Sequence, residues 1–207
     1  MSSAQVTALS DLPSTVTVMS DELRTVALTE PPPDADEAQV LQFALDRSRN
    51  VFAWKCGGLD ERALRQAHPP STMTIGGLLK HLAMVEDWTA TRLTGWRMPE
   101  PWRSVDWAAD PDYPWTSAAG DPAEELHRLW SRAAERGRAA LADVIVDGGL
   151  DRLARFDFDP NQLPGARRLL VDLHEEYARH VGHLDLFREA IDGLTGEDPP
   201  REAGSGG

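Results

Sequence analysis

Three side chains near the end of the chain are of the types that bind transition metals. Glu176 and His180 are four residues apart, about 40° around an ideal helix, and His183 lies about 20° to the other side of Glu176. The other residues on this face of the predicted helix are apolar: Leu169, Leu173, Leu184 and Phe187. A buried carboxylate needs a charged partner, a proton or a metal ion. The pattern therefore leaves two interpretations, a metal site or an ion pair between Glu176 and Arg47.

A further side chain of a metal-binding type comes from an earlier part of the chain. Leu78, His81, Val85 and Trp88 recur at steps of three, four and three, so His81 is predicted to point inward from a helix. An inward histidine alone is more often a hydrogen-bonded core residue. Together with a carboxylate and a second histidine, however, it completes a facial set of three ligands. Such a set suits zinc, iron or nickel and leaves positions open for water and substrate.

The remaining histidines and the cysteine fit no further site. His174 and Glu175 resemble the start of the zinc-protease pattern His-Glu-x-x-His, but position 178 is alanine. His68, in a loop, and His127, on a polar helix face, are predicted to be solvated surface residues. Cys56 ends a predicted helix. Its thiol is predicted to be packed in the interior, and the alternative is a role as a nucleophile.

Four long helices are predicted to position these residues, because apolar side chains recur at helical spacing between start and stop signals. The predicted ranges are 36–55, 75–93, 121–143 and 166–194. No strand pattern of comparable strength occurs. The sequence therefore predicts an all-α fold in the form of a four-helix bundle.

The ends of these helices carry capping signals. Asp34 and Glu37 form a capping-box pattern before the first helix. Thr74 is predicted to cap the second helix, which should stop near Gly95, and Asp121 to cap the third. The helical spacing in the first helix rests on five positions: Val40, Ala44, Arg47, Val51 and Trp54.

The connection between the second and third helices is long and rich in aromatic residues. Its aromatic side chains are Trp96, Trp102, Trp107, Tyr113 and Trp115. Long loops within compact domains tend to be functional. These side chains are predicted either to cover one end of the bundle or to form a wall that faces the substrate.

Composition excludes several classes of function. The 207 residues carry a formal net charge of −13, which argues against nucleic acid or an anionic membrane as a partner. No apolar stretch approaches the ~20 residues of a membrane span, and the first thirty residues show no signal-peptide pattern. The single cysteine excludes an internal disulfide and a cysteine-based zinc cluster, which fits a reducing cytoplasm.

The same patterns divide the chain into three parts. Residues 1–33 are predicted to be a flexible N-terminal extension, with a short strand near Thr15–Met19 as an alternative. Residues 34–197 form the predicted helical domain. Residues 198–207 are predicted to be a flexible tail.

Several segments of the chain resemble the signature blocks of the DinB-like superfamily. They are residues 54–60 (WKCGGLD), 70–74 (PSTMT), 81–83 (HLA), 175–183 (EEYARHVGH) and 191–197 (IDGLTGE). The branch that the chain resembles contains the mycothiol-dependent S-transferases and is related to maleylpyruvate isomerases and bacillithiol transferases. The chain departs from it at Asp172, where close relatives often have histidine, and in its N-terminal extension.

The resemblance implies a bundle that often forms homodimers and that holds one divalent metal, zinc, with nickel or iron as alternatives. Carried over, the ligands are His81, Glu176 and His180. His183 matches a position beside the metal, as a supporting residue or an alternative ligand.

The implied activity is a metal-dependent transfer of a low-molecular-weight thiol, mycothiol, onto a small electrophile. The alternatives are a thiol-assisted isomerase of the maleylpyruvate type and a non-catalytic metal-binding stress protein.

Overall fold

A computed structural model describes Leu23, residues 25–157, Asp159 and residues 161–199 of the chain. Within these residues the regular structure is helical, apart from one isolated bridge between Leu153 and Gly165. The α-helices are α1 (Glu37–Cys56), α2 (Glu61–Leu64), α3 (Ile75–Thr94), α4 (Tyr113–Ser117), α5 (Ala123–Val146) and α6 (Ala166–Asp192). The prediction of an all-α fold is confirmed, and the four long helices lie close to their predicted ranges.

The capping box at the start of α1 begins two residues later than predicted. Asp36 accepts a hydrogen bond from the Gln39 backbone N–H at 2.9 Å, and the Gln39 side chain accepts one from the Asp36 N–H at 2.9 Å. The box is therefore formed by Asp36 and Gln39, and the prediction of Asp34 with Glu37 was wrong. Glutamine completes a capping box as well as glutamate does, because either side chain offers an oxygen acceptor.

The predicted limits of α3 are confirmed, whereas the predicted cap of α5 is not. Thr74 accepts a hydrogen bond from the Gly77 N–H at 2.9 Å, and Gly95 ends α3 with a φ of 75°. The Asp121 carboxylate instead pairs with the ammonium of Lys80, which is 3% exposed. A buried ammonium requires an anionic partner, and this requirement outweighs capping at Asp121.

The core forms where α3 packs against α5 and α6, and where α1 packs against α6. Its largest buried aromatic side chains are those of Trp102, Trp130, Tyr177 and Phe52. On α1 only some of the five positions at helical spacing lie on the buried face. Val40 and Arg47 are exposed, whereas Arg49, which is not one of the five, is buried. In the part of the chain that the structure describes, no helix is both long and apolar enough to cross a membrane.

A buried polar network joins the four long helices. Arg49 on α1 donates to both carboxylate oxygens of Glu86 on α3, at 2.7 and 2.9 Å. Tyr177 on α6 donates to Glu86 Oε1 at 2.7 Å, and Trp130 on α5 donates to the Tyr177 hydroxyl at 3.0 Å. Gly137 on α5 leaves room for the carboxylate, since a Cβ there would lie 2.0 Å from Glu86 Oε2. The network fixes the rotation of α6 against α3.

Segments on both sides of the helices pack onto α1. The Asn50 side chain donates to the Val26 carbonyl at 2.7 Å and accepts from the Val26 N–H at 3.0 Å. Lys55 donates to the Gly196 carbonyl at 2.8 Å. The predicted parts 1–33, 34–197 and 198–207 stay predictions, and the alternative strand at 15–19 lies outside the described residues.

Candidate metal centre

Three predicted ligands meet between α3 and α6. His81 Nε2 lies 3.2 Å from Glu176 Oε2, and His180 Nε2 lies 3.3 Å from the same oxygen. One donor atom from each residue lies within 4.8 Å of the other two. Ligands bonded at about 2.0–2.1 Å to a tetrahedral zinc ion are about 3.4 Å apart, so this donor set fits one ion.

The three side chains of the site are buried to different degrees. The side chain of His180 is 8% exposed, that of His81 is 16% exposed, and that of Glu176 is 27% exposed. The carboxylate is therefore the group of the three that solvent reaches most easily. Leu173 and Leu184, on the same helix before and after the two α6 ligands, are buried in the core.

Burial and local charge give the three groups the protonation states that metal ligands need. Burial lowers the pKa of His81, and Glu176 only partly opposes this effect. Burial, followed by repulsion from His81, lowers the pKa of His180 to about 4. Burial alone would raise the pKa of Glu176, but its hydrogen bond with His81 and the neighbouring positive charges hold it below the ordinary value. At neutral pH the site thus contains two neutral imidazoles and a carboxylate.

His183 lies behind the group of three. Its Nδ1 is 3.2 Å from Nδ1 of His180, the ring nitrogen opposite to the one that faces Glu176. A hydrogen bond at that nitrogen selects the tautomer and fixes the orientation of a ligand histidine. This contact favours the supporting role of His183 over direct ligation.

Arg179 occupies the second oxygen of the carboxylate. Its Nη1 donates to Glu176 Oε1 at 2.9 Å, which leaves Oε2 facing the two histidines. Glu176 is thereby arranged to give a metal one oxygen. The alternative pair with Arg47 is wrong, because Arg47 lies against Asp198 at 3.4 Å. The sequence analysis did not identify Arg179, although its position three residues after Glu176 signals the contact.

The aromatic connection contributes to both the core and the site. Trp102 is 1% exposed and donates to Asp87 Oδ2 at 2.8 Å. It therefore covers the bundle, which is the first of the two predicted roles of these aromatic residues. Trp115 stacks on His81, with ring centroids 4.7 Å apart and planes 24° apart. Trp96 and Trp107 are exposed. Only the Trp115 indole stacks on a residue of the metal centre in the described part of the chain.

Three residues that the sequence analysis placed outside the metal site are not among its ligands: His68, His127 and Cys56. The prediction of a solvated His127 was wrong: the residue is 3% exposed, and burial lowers its pKa. An imidazole can be buried when it is neutral, which a polarity pattern does not register. His68 is half-buried and stacks on Phe187 at 3.9 Å. Cys56 is fully buried and burial raises its pKa, as expected for a packed thiol.

Comparison with known proteins identifies the family. No curated protein matches the chain. The profile of the family described as mycothiol-S-transferase matches residues 40–193, which include His81, Glu176 and His180. The match spans more than half of the chain and agrees with the resemblance seen in the signature blocks. The chain therefore belongs to the mycothiol-S-transferase family.

Proposed function

We propose that the protein is a metal-dependent transferase that activates a low-molecular-weight thiol, mycothiol, for transfer to a small electrophile. The observation that carries this proposal is the group of three donor atoms within 4.8 Å of one another in a partly exposed site. The family name supports a thiol as the substrate. We expect zinc as the metal, with nickel or iron as alternatives, because two imidazoles and one carboxylate suit all three.

A divalent ion held there would supply a Lewis acid that lowers the pKa of an incoming thiol. His81 and His180 offer neutral nitrogens for this ion, and the charge of Glu176 offsets one of its two positive charges. The thiol approaches from the exposed side of Glu176, and its proton leaves to solvent. The sulfur then forms its bond to the electrophile, and any leaving group departs with the electron pair of the bond that breaks.

The number of protein ligands favours catalysis over a purely structural ion. Structural zinc sites are almost always closed by four protein ligands, whereas catalytic sites keep one position open. His183 could close the set, but its Nδ1 lies 3.2 Å from Nδ1 of His180, the ring nitrogen opposite to the one that faces Glu176. The isomerase and the non-catalytic stress protein would use the same three residues, so activity assays must separate them. The homodimer and the cytoplasmic location stay predictions.

Elemental analysis tests the metal site. Wild-type protein should carry close to one divalent ion per chain, and His81→Ala or His180→Ala should lose most of it. His174→Ala is the matched control, because His174 lies on the same helix outside the group of three and should leave the metal content unchanged. Wild-type metal content in both ligand variants would reject the site.

Thiol consumption tests the activity. Metal-loaded protein should consume mycothiol in the presence of an electrophile such as a bimane, and metal-stripped protein should not. Glu176→Gln should weaken metal binding because it removes the charge, whereas Glu176→His should retain it, since a third imidazole is also a donor. Equal behaviour of the metal-loaded and metal-free forms would reject the transferase. Isomerisation of maleylpyruvate without net thiol consumption would favour the isomerase.

A further inference from the structure

We propose that Trp115 is a positioning residue that holds the His81 imidazole in the plane required for metal binding. This inference rests on the proposed metal site. The indole lies on His81 with centroids 4.7 Å apart and planes inclined by 24°, and its centroid is 6.0 Å from that of His180. Trp115 thus contacts the metal centre from a short helix, α4, that contributes none of the three ligands.

His81 needs such support more than His180 does. A metal-binding histidine is normally fixed by a hydrogen bond at its second ring nitrogen. His180 has this contact through His183, whereas the ring hydrogen bond of His81 within the described residues is the one from Nε2 to Glu176. That bond is at the nitrogen assigned to the metal, so it is replaced when the ion binds. Two ring contacts then restrain rotation of His81: the stacked indole, and the His180 imidazole, whose centroid is 4.9 Å away with the planes 73° apart. Of these two, the indole is the one that is not itself a ligand.

The backbone at Gly77 makes this stacking possible. Gly77 precedes His81 by four residues, so both lie on one face of α3. A Cβ at Gly77 would lie 2.9 Å from Trp115 Cε3, too close for an ordinary contact. Glycine at this position therefore lets the indole lie flat along α3 and reach His81.

One further contact joins α4 to α3, and a neighbouring residue of α4 is buried. The Lys80 ammonium lies 4.7 Å from the ring centroid of Tyr113, and the same ammonium pairs with Asp121. Pro114, next to Trp115, is buried. The two residues that precede Trp115 in the chain are therefore held in place, which restricts movement of the indole away from His81.

The test compares Trp115→Leu with Trp115→Phe in the full-length protein. Zinc affinity is measured by competition with a chromophoric chelator, and the geometry of the ligands is monitored by the absorption spectrum of the cobalt-substituted protein. Loss of one aromatic pair corresponds to roughly three- to tenfold weaker binding. Leucine should show this loss together with a changed cobalt spectrum, whereas phenylalanine should stay within about twofold of wild type. Trp96→Leu, an exposed tryptophan of the same connection, should change neither measurement.

Several outcomes would overturn the inference. Wild-type affinity and spectrum in folded Trp115→Leu would do so, as would equal weakening by leucine and phenylalanine without a spectral change. If Trp115→Leu does not fold, Gly77→Ala decides, since it displaces the indole while His81 is intact. It should weaken zinc binding and alter the spectrum at normal helix content, and wild-type values would reject positioning. Zinc retained by His81→Ala would instead reject the metal site itself.

Discussion

The close contact between Gly137 on α5 and Glu86 on α3 gives a sharp test of how this fold is held together. Gly137 on α5 faces the buried Glu86 carboxylate, and a Cβ at this position would lie 2.0 Å from Oε2. The end of a side chain normally moves aside at little cost. Here Arg49 and Tyr177 both donate to Glu86 at 2.7–2.9 Å, so the carboxylate cannot move without losing a donor. We therefore expect Gly137→Ala to destabilise the protein.

The magnitude follows from two opposing contributions. Alanine is favoured over glycine inside a helix by about 1 kcal/mol. Displacement of the carboxylate breaks the bond from Arg49 to Glu86 Oε2, and a hydrogen bond to a charged group contributes roughly 1.5–3 kcal/mol. Leaving part of a buried ion pair unpaired adds to this loss. The free energy of unfolding should therefore fall by about 2 kcal/mol, which for a chain of this size lowers the Tm by roughly 4–8 °C.

Thermal and urea unfolding, followed by circular dichroism, measure this change. Gly182→Ala is the matched control, because Gly182 lies within α6 and a Cβ there meets nothing within 4 Å. It should raise the free energy of unfolding by up to about 1 kcal/mol. A Gly137→Ala protein as stable as wild type, or more stable, would refute the reasoning about the Glu86 carboxylate.

Three other predictions concern the metal, acid and the segment before α1. Chelation should lower the Tm by roughly 5–10 °C, since a ligand at a hundred times its Kd adds about 2.7 kcal/mol to the free energy of unfolding. His81→Ala should melt at the same temperature with and without chelator. An unchanged wild-type melting curve would contradict a buried interhelical site. Burial lowers the pKa of His180 from near 6.5 to about 4, so metal-free protein should lose stability as pH falls through that window. The urea midpoints at pH 7.5 and pH 5 should differ less in His180→Gln than in the wild type. An equal difference in the two proteins would count against a lowered pKa of His180. Asn50→Ala removes both hydrogen bonds to Val26, so limited proteolysis near residues 25–30 should accelerate; an unchanged rate would show that these bonds do not protect the segment.

Apolar spacing predicted the helices well because most of their buried positions are apolar. The ends of α3 followed from Thr74 and Gly95, two residues whose chemistry fits only one role there. The cap of α5 failed because Asp121 is required by Lys80, a partner 41 residues away. A local signal cannot predict which long-range partner will bind the same side chain.

The sequence predicted the three ligand residues of the candidate site but not the side chains that surround them. The four-residue step from Glu176 to His180 and the inward position of His81 are properties of single helices. The stacking of Trp115 depends on the path of a long connection, which no periodicity describes. Glu86 was missed for a different reason: it continues the inward spacing of Leu79 and Leu82, so the argument used for Glu176 would have identified it.

The network around Glu86 has a consequence for the way the helices come apart. Its members lie on α1, α3, α5 and α6, and the Tyr177 hydroxyl is 91 residues away from the carboxylate along the chain. If α6 undocked alone, it would leave the buried Glu86 oxygen without one of its donors, which is costly in a dry interior. The four helices should therefore open in one cooperative step, and the backbone amides around Arg49, Glu86 and Tyr177 should exchange with solvent deuterium at closely similar rates.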